Sequence, residues 1–196
     1  MAKTRAAALS ALSDGYTTLL NARQRAMDGQ STLFDGEYET AQDSFQMAAT
    51  KSNDARETFE MYIENEVFGP VFEEGVKRAD ALAALADGYQ HLTTGLQAIE
   101  KGKESFEQRD FNTAADQFGS AKDSIATARS RFDEGHETIS DEFSTEFDRA
   151  QCQGVHLASA TDHFATATEA ANSGDQSRAA TQREHGETAL EDTTEC

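Results

Sequence analysis

His156 and His163 stand seven residues apart, a spacing that puts two imidazoles on one face of a helix. Such a pair offers two nitrogen ligands to a metal ion. The competing and preferred reading makes them polar neighbours in a helix seam. Asp133 and His136 come nearest to the Glu-x-x-His pattern of di-iron bundles, which need that motif on two helices. No Glu-x-x-His occurs anywhere in the chain. The spacing identifies no partner for His91 or His185. Cys152 and Cys196 are the two cysteines, one in a helical stretch and one at the last position. They form neither a disulfide framework nor a paired metal motif, so a reduced compartment and an incidental, exposed Cys196 thiol are expected. Gly-rich phosphate loops, Gly-x-Ser-x-Gly elbows and His-Glu-x-x-His are all missing. No catalytic, cofactor or metal residue is therefore assigned, and the expectation is a protein that is not an enzyme.

Two triplets remain as candidate ligand notches, Asp14-Gly15-Tyr16 and Asp87-Gly88-Tyr89. A glycine inside a helix costs about 1 kcal/mol against alanine. Its presence in both places points to close helix crossing first, and to a ligand near Gly15 or Gly88 second. The densest apolar cluster is Val67, Phe68, Val71 and Phe72 around the single proline, Pro70. It reads as a packed corner between helices, or, where exposed, as a docking or dimer surface.

The elements that position these residues follow from composition and period. With 36 acidic and 17 basic residues the formal charge is −19, and only six of the basic residues are Lys. Self-repulsion of that size is tolerable where counterions screen it, with a Debye length of ~3 Å at ~1 M salt. The composition resembles that of proteins from salt-accumulating halophilic archaea. It disfavours sequence-independent nucleic-acid binding, which needs a basic track. No apolar run is long enough to span a membrane, and the first residues show no signal-peptide core, so a cytoplasmic protein is expected.

Apolar residues fall in steps of three and four: Leu9, Leu12, Tyr16, Leu19, Ala26, Leu33, then Tyr38, Ala41, Phe45, Ala48, Ala55, Phe59, Tyr62. Ser52 is the one polar member of the second series. This is the seam of long helices lying side by side. A shift of 73 residues repeats it. LSDGYTTL becomes LADGYQHL, and Tyr38, Ala41, Phe45, Ala48, Ala55 and Phe59 become Phe111, Ala114, Phe118, Ala121, Ala128 and Phe132. A weaker third copy follows at an offset of 65, with Phe147, Ala150, Leu157 and Phe164 in the seam but Gln176 and Arg183 in place of two Phe. Its last stretch, ETALEDTTEC, is expected to be loose.

Gly29, Gly36, Tyr38, Ala41, Phe45 and Ala48 together resemble the turn and second helix of a tetratricopeptide repeat. In the second copy Gly102, Phe111, Ala114, Phe118 and Ala121 match and Arg109 takes the turn position. In the third Gly174, Ala179 and Gly186 match. The resemblance implies helical hairpins and, from the family's habits, a protein-interaction role. The repeat interval departs from the family's, at 73 and 65 residues against roughly 34.

The breakers predict helices over about 4–28, 36–67, 70–106 and 110–133, a fifth capped by Ser140 or Asp141 and ending near 173, and a sixth after Gly174-Asp175. The fold expected is all-α: about six long antiparallel helices in three hairpins, tetratricopeptide-like or an elongated up-down bundle. The hairpins cover 1–69, 70–140 and 141–196, within one structural domain. The function expected is an interaction or scaffold module in a high-salt cytoplasm, with a protein partner or a second copy (a homodimer) bound, and neither nucleic acid nor membrane. The alternative is a helical bundle binding a metal or small ligand. A groove would show as exposure of Tyr16, Tyr38, Tyr89 and Phe111.

Overall fold

A computed structural model describes residues 2–138 and 143–196. Six helices follow one another: α1 (Ala2–Phe34), α2 (Tyr38–Glu60), α3 (Gly69–Glu107), α4 (Phe111–Thr138), α5 (Ser144–Asn172) and α6 (Gln176–Asp192), the last continued by a 3-10 turn, Thr193–Glu195. No strand occurs among the described residues. The fold is the all-α, up-down helical arrangement that the three-four period predicts.

Three of the connections close in the same way. Gly36 donates to the carbonyl of Leu33 and Glu37 to that of Thr32. Arg109 to Phe106 with Asp110 to Ser105, and Gly174 to Ala171 with Asp175 to Ala170, repeat the pattern. It is the Schellman closure, which requires a left-handed residue just past the helix. Gly36 (φ 80°) and Gly174 (φ 88°) meet that demand without strain, whereas Arg109 (φ 63°) meets it with a side chain attached. Asp110 and Asp175 then cap the next helix by accepting from the amides of Thr113 and Arg178.

Several boundaries differ from those read in the sequence. α1 does not end near Gly29 but runs on to Phe34, because Gly29 is a buried contact and not a stop. α2 ends at Glu60 instead of 67. The Asn65 side chain there accepts from the amides of Val67 and Phe68, holding a turn that leads into Gly69. α4 passes Asp133 and continues through Gly135 to Thr138. The expected caps Ser140 and Asp141 lie outside the described residues. The final stretch is ordered as α6 and its 3-10 turn, with Ala189 and Thr193 buried.

The chain divides into two compact units that cut across the hairpins. One holds Met1–Tyr89 and Arg131–Phe147. Its core is a set of phenylalanine rings seated on glycines. The Phe59 ring lies between Gly15 of α1 and Gly75 of α3; a Cβ on either glycine would stand 2.3 or 2.7 Å from it. Phe45 fills the space over Gly29 and stacks on Tyr89 with ring centres 5.0 Å apart. Phe132 sits against Gly88, and Phe147 against Gly135. All four rings are wholly buried. Each contributes roughly 1.5–3 kcal/mol by burial, and each glycine admits a ring where any side chain would collide.

The other unit holds Gln90–Ser130 and Asp148–Cys196. Here Phe118 seats on Gly102, Ile125 on Gly95, and Phe164 on Gly186. Phe118 and Phe164 stack with ring centres 5.4 Å apart. Beside them Ala170, Ala171 and Ala179 pack together, covered by Phe106 and Phe111.

The spacing of these contacts shows the antiparallel register directly. A step of two heptads forward, from Gly15 to Gly29, is matched by two heptads back, from Phe59 to Phe45. Along α3, Gly88, Gly95 and Gly102 likewise meet Phe132, Ile125 and Phe118 of α4. In the first hairpin the same register sets Ala22 opposite Ser52 where the second has Gly95 and Ile125. Both Ala22 and Ser52 are wholly buried. The polar interruption of the seam is thus a change of partner sizes. A larger residue on α1 faces a smaller one on α2, and the Ser52 hydroxyl donates to the carbonyl of Ala48 within its own helix.

Candidate functional site

The two glycine notches are filled from within the protein. Gly15 and Gly88 are both buried and hold the rings of Phe59 and Phe132, so close helix packing explains both triplets and leaves no space there for a ligand. The acids beside them go different ways. Asp87 lies 2.8 Å from Arg131, which also pairs with Glu134, and these two carboxylates raise the already high guanidinium pKa. Asp14 is exposed.

His156 and His163 share α5 but do not converge. His163 Nδ1 lies 2.8 Å from Gln182 Oε1, and its ring meets His185 edge-on at 5.3 Å. His185, for which the spacing suggested no partner, thereby has one. His156 Nδ1 lies 3.8 Å from Asp192 Oδ2. His136 is half-buried and stacked over the Phe147 ring. His91 is half-buried on α3.

The cysteines correct the sequence reading most sharply. Cys152 and Cys196 are joined in a disulfide across 44 residues, with Cα atoms 5.9 Å apart. Cys196 is half-buried against α5, so it is not an incidental exposed thiol, and the reduced compartment inferred from two unpaired cysteines loses that support. The bond went unread because its partners are distant in sequence. Spacing along α5 or α6 alone carries no sign of it, because the two cysteines meet only when these helices pack.

None of the four aromatics expected to line a groove is exposed. Tyr89 is buried, while Tyr16, Tyr38 and Phe111 are half-buried. The Tyr16 ring lies under the Arg78 guanidinium at 5.7 Å, and Phe111 packs edge-on against Phe106.

The apolar corner is split between core and surface. Phe72 is wholly buried, stacked on Tyr62 at 5.3 Å and tilted against Phe59 at 6.2 Å. Phe68 is half-buried. Val67 and Val71 face outward, and Met61, at 72% exposure, joins them. An open depression of about 420 Å³ is lined by Arg5, Met61, Tyr62, Glu64, Asn65, Glu66 and Val67. Glu64 and Glu66 are exposed at its edge beside Arg5, so an apolar centre has two carboxylates and one guanidinium around it.

No protein-family profile, curated protein or solved structure matches the chain. Among the described residues no helix is long and apolar enough to cross a membrane.

Proposed function

We propose that this protein is a non-enzymatic interaction or scaffold module of helical hairpins, working in a salt-rich cytoplasm. The observation that carries this reading is the outward-facing set Met61, Val67 and Val71, with the exposed carboxylates of Glu64 and Glu66 beside it. An apolar centre inside a charged rim is the anatomy of a docking surface. In that cytoplasm the −19 charge of the chain acts only at contact range, with a Debye length of ~3 Å at ~1 M salt, so the rim selects its partner by direct pairing with the carboxylates. A partner protein with apolar anchors and a cationic border satisfies both the centre and the rim. The repeated seam of aromatic and small residues, resembling tetratricopeptide hairpins, supports the same role as a rigid frame for the corner.

Affinity capture with the full chain at multimolar KCl, set beside a Met61→Glu, Val67→Glu, Val71→Glu variant, tests the reading. The expected result is a stoichiometric protein bound by the parent chain and lost from the variant, with helicity unchanged. A partner retained equally by both chains would move the surface elsewhere. Sedimentation at low and high salt reports self-association; a dimer broken by the same three substitutions would replace the foreign partner by a second copy.

A further inference from the structure

Around the disulfide the structure gathers two groups that a disulfide does not need. Cys152 and His156 lie one turn apart on α5, and Asp192 and Cys196 lie one turn apart at the end of α6 and its 3-10 extension. Because these two helices run antiparallel, the pairs face one another. One ligand atom each of Cys152, His156 and Cys196 fall within 4.8 Å of one another, and the Asp192 carboxylate lies 3.8 Å from His156 Nδ1. All four residues are half-buried, with the Asp192 side chain 44% exposed, so a small ion can reach them.

Two sulfurs, one imidazole nitrogen and one carboxylate oxygen form a tetrahedral donor set for zinc, with ligand distances near 2.0–2.3 Å. We propose that the reduced chain binds one zinc-class divalent cation through Cys152, His156, Asp192 and Cys196, and that the disulfide is the oxidised, metal-free state of the same site. A dithiol reductant supplies two electrons and two protons, breaking the Cys152–Cys196 bond and becoming a disulfide itself. The cation then binds both sulfurs as thiolates and releases two protons. Opening requires that the sulfurs separate enough to admit the ion and that the Asp192 carboxylate, now beside His156, turn in to complete the set, while His156 already lies next to them.

Either state fastens α6 to α5. That matters because within α6 itself only Ala179, Gly186 and Ala189 are buried, a thin apolar seam for seventeen residues. The site therefore lets one helix stay docked under both oxidising and reducing conditions, with a cation replacing the covalent bond. It is independent of the docking corner on the other unit, and its test reads nothing about partners.

Co²⁺ is the probe. The full chain, reduced with a phosphine and freed of metal by a chelator, is titrated with Co²⁺ and then Zn²⁺. The expected result is one equivalent of Co²⁺ bound with thiolate charge-transfer and tetrahedral ligand-field bands, displaced by Zn²⁺, and no such bands from the oxidised chain. H156A lowers the affinity about tenfold or more, C152S or C196S weakens the charge-transfer bands by removing one of two thiolates, and C152S/C196S abolishes them. Featureless spectra from the reduced chain, with its helicity intact, would overturn the proposal without any substitution. Charge-transfer bands of undiminished intensity in both C152S and C196S would overturn it too.

Discussion

Gly88 stands so close to Phe132 that a Cβ on it would lie 2.3 Å from Cε1 of the ring. By contrast Gly119, also within a helix, has nothing within 4 Å of where its Cβ would be. One substitution therefore has opposite signs at the two sites. Gly119→Ala gains helix propensity and stabilises by about 0.5–1 kcal/mol. Gly88→Ala gains the same term but overpacks the core, for a net loss of about 1–2 kcal/mol. Chemical denaturation checks both. Adding Phe132→Leu to Gly88→Ala should cost less than the two single changes together.

The exchange of sizes between the hairpins makes a second prediction. Ser52→Ile alone forces a branched side chain against Ala22 and lowers stability by about 1–3 kcal/mol. Combined with Ala22→Gly it recreates the pairing of Gly95 with Ile125, and most of the loss should be recovered. Equal loss in the single and double variants would mean that the register does not bring positions 22 and 52 together.

Arg109 makes a third. It occupies a left-handed turn position that Gly36 and Gly174 fill in the other hairpins. Arg109→Gly removes the Cβ clash, offset in part by the greater freedom of glycine in the unfolded chain. The expected gain is up to about 1 kcal/mol, or a rise of roughly 2–4 °C in thermal midpoint for a chain of this size.

The pH dependence of one cap gives a fourth. Hydrogen bonds from the Thr113 hydroxyl and amide hold the Asp110 carboxyl below the ordinary carboxylate range. Its folded pKa is thus lower than its unfolded one, so the cap's stabilisation is fully present above the ordinary range. It fades as pH falls through that range toward the depressed folded value. Thermal midpoints across acidic pH should show Asp110→Ala closing on the parent chain as pH drops. Asp110→Asn, which keeps a capping oxygen, should lose less at neutral pH.

What was legible in the sequence was the seam. Phe45, Phe59, Phe118, Phe132 and Phe147 are all buried as their spacing predicts, because helical period is a local property. Gly29 misled as a helix end because its size serves the Phe45 ring, a tertiary reason that no local rule carries. The turn after α2 depends on the Asn65 side chain reaching forward to Val67 and Phe68, where Pro70 was the more visible signal. At the candidate sites, the exposure of Val67 and Val71 depends on which side of the corner faces the core. The Cys152–Cys196 bond depends on the antiparallel register of α5 and α6. Neither is written in spacing along one segment.

The third hairpin seats its ring the other way round. In the first two, the glycine belongs to the first helix and the phenylalanine to the second; in the third, Phe164 is on α5 and Gly186 on α6. A chain built from near-copies runs the hazard of exchanging them, one second helix docking on another's first. α2 and α4 each present rings that α1 or α3 would accept. α6, which has no phenylalanine, has nothing to insert into the seats at Gly15, Gly29, Gly88 or Gly102. The reversed polarity leaves α6 unable to stand in for α2 or α4 on those seats.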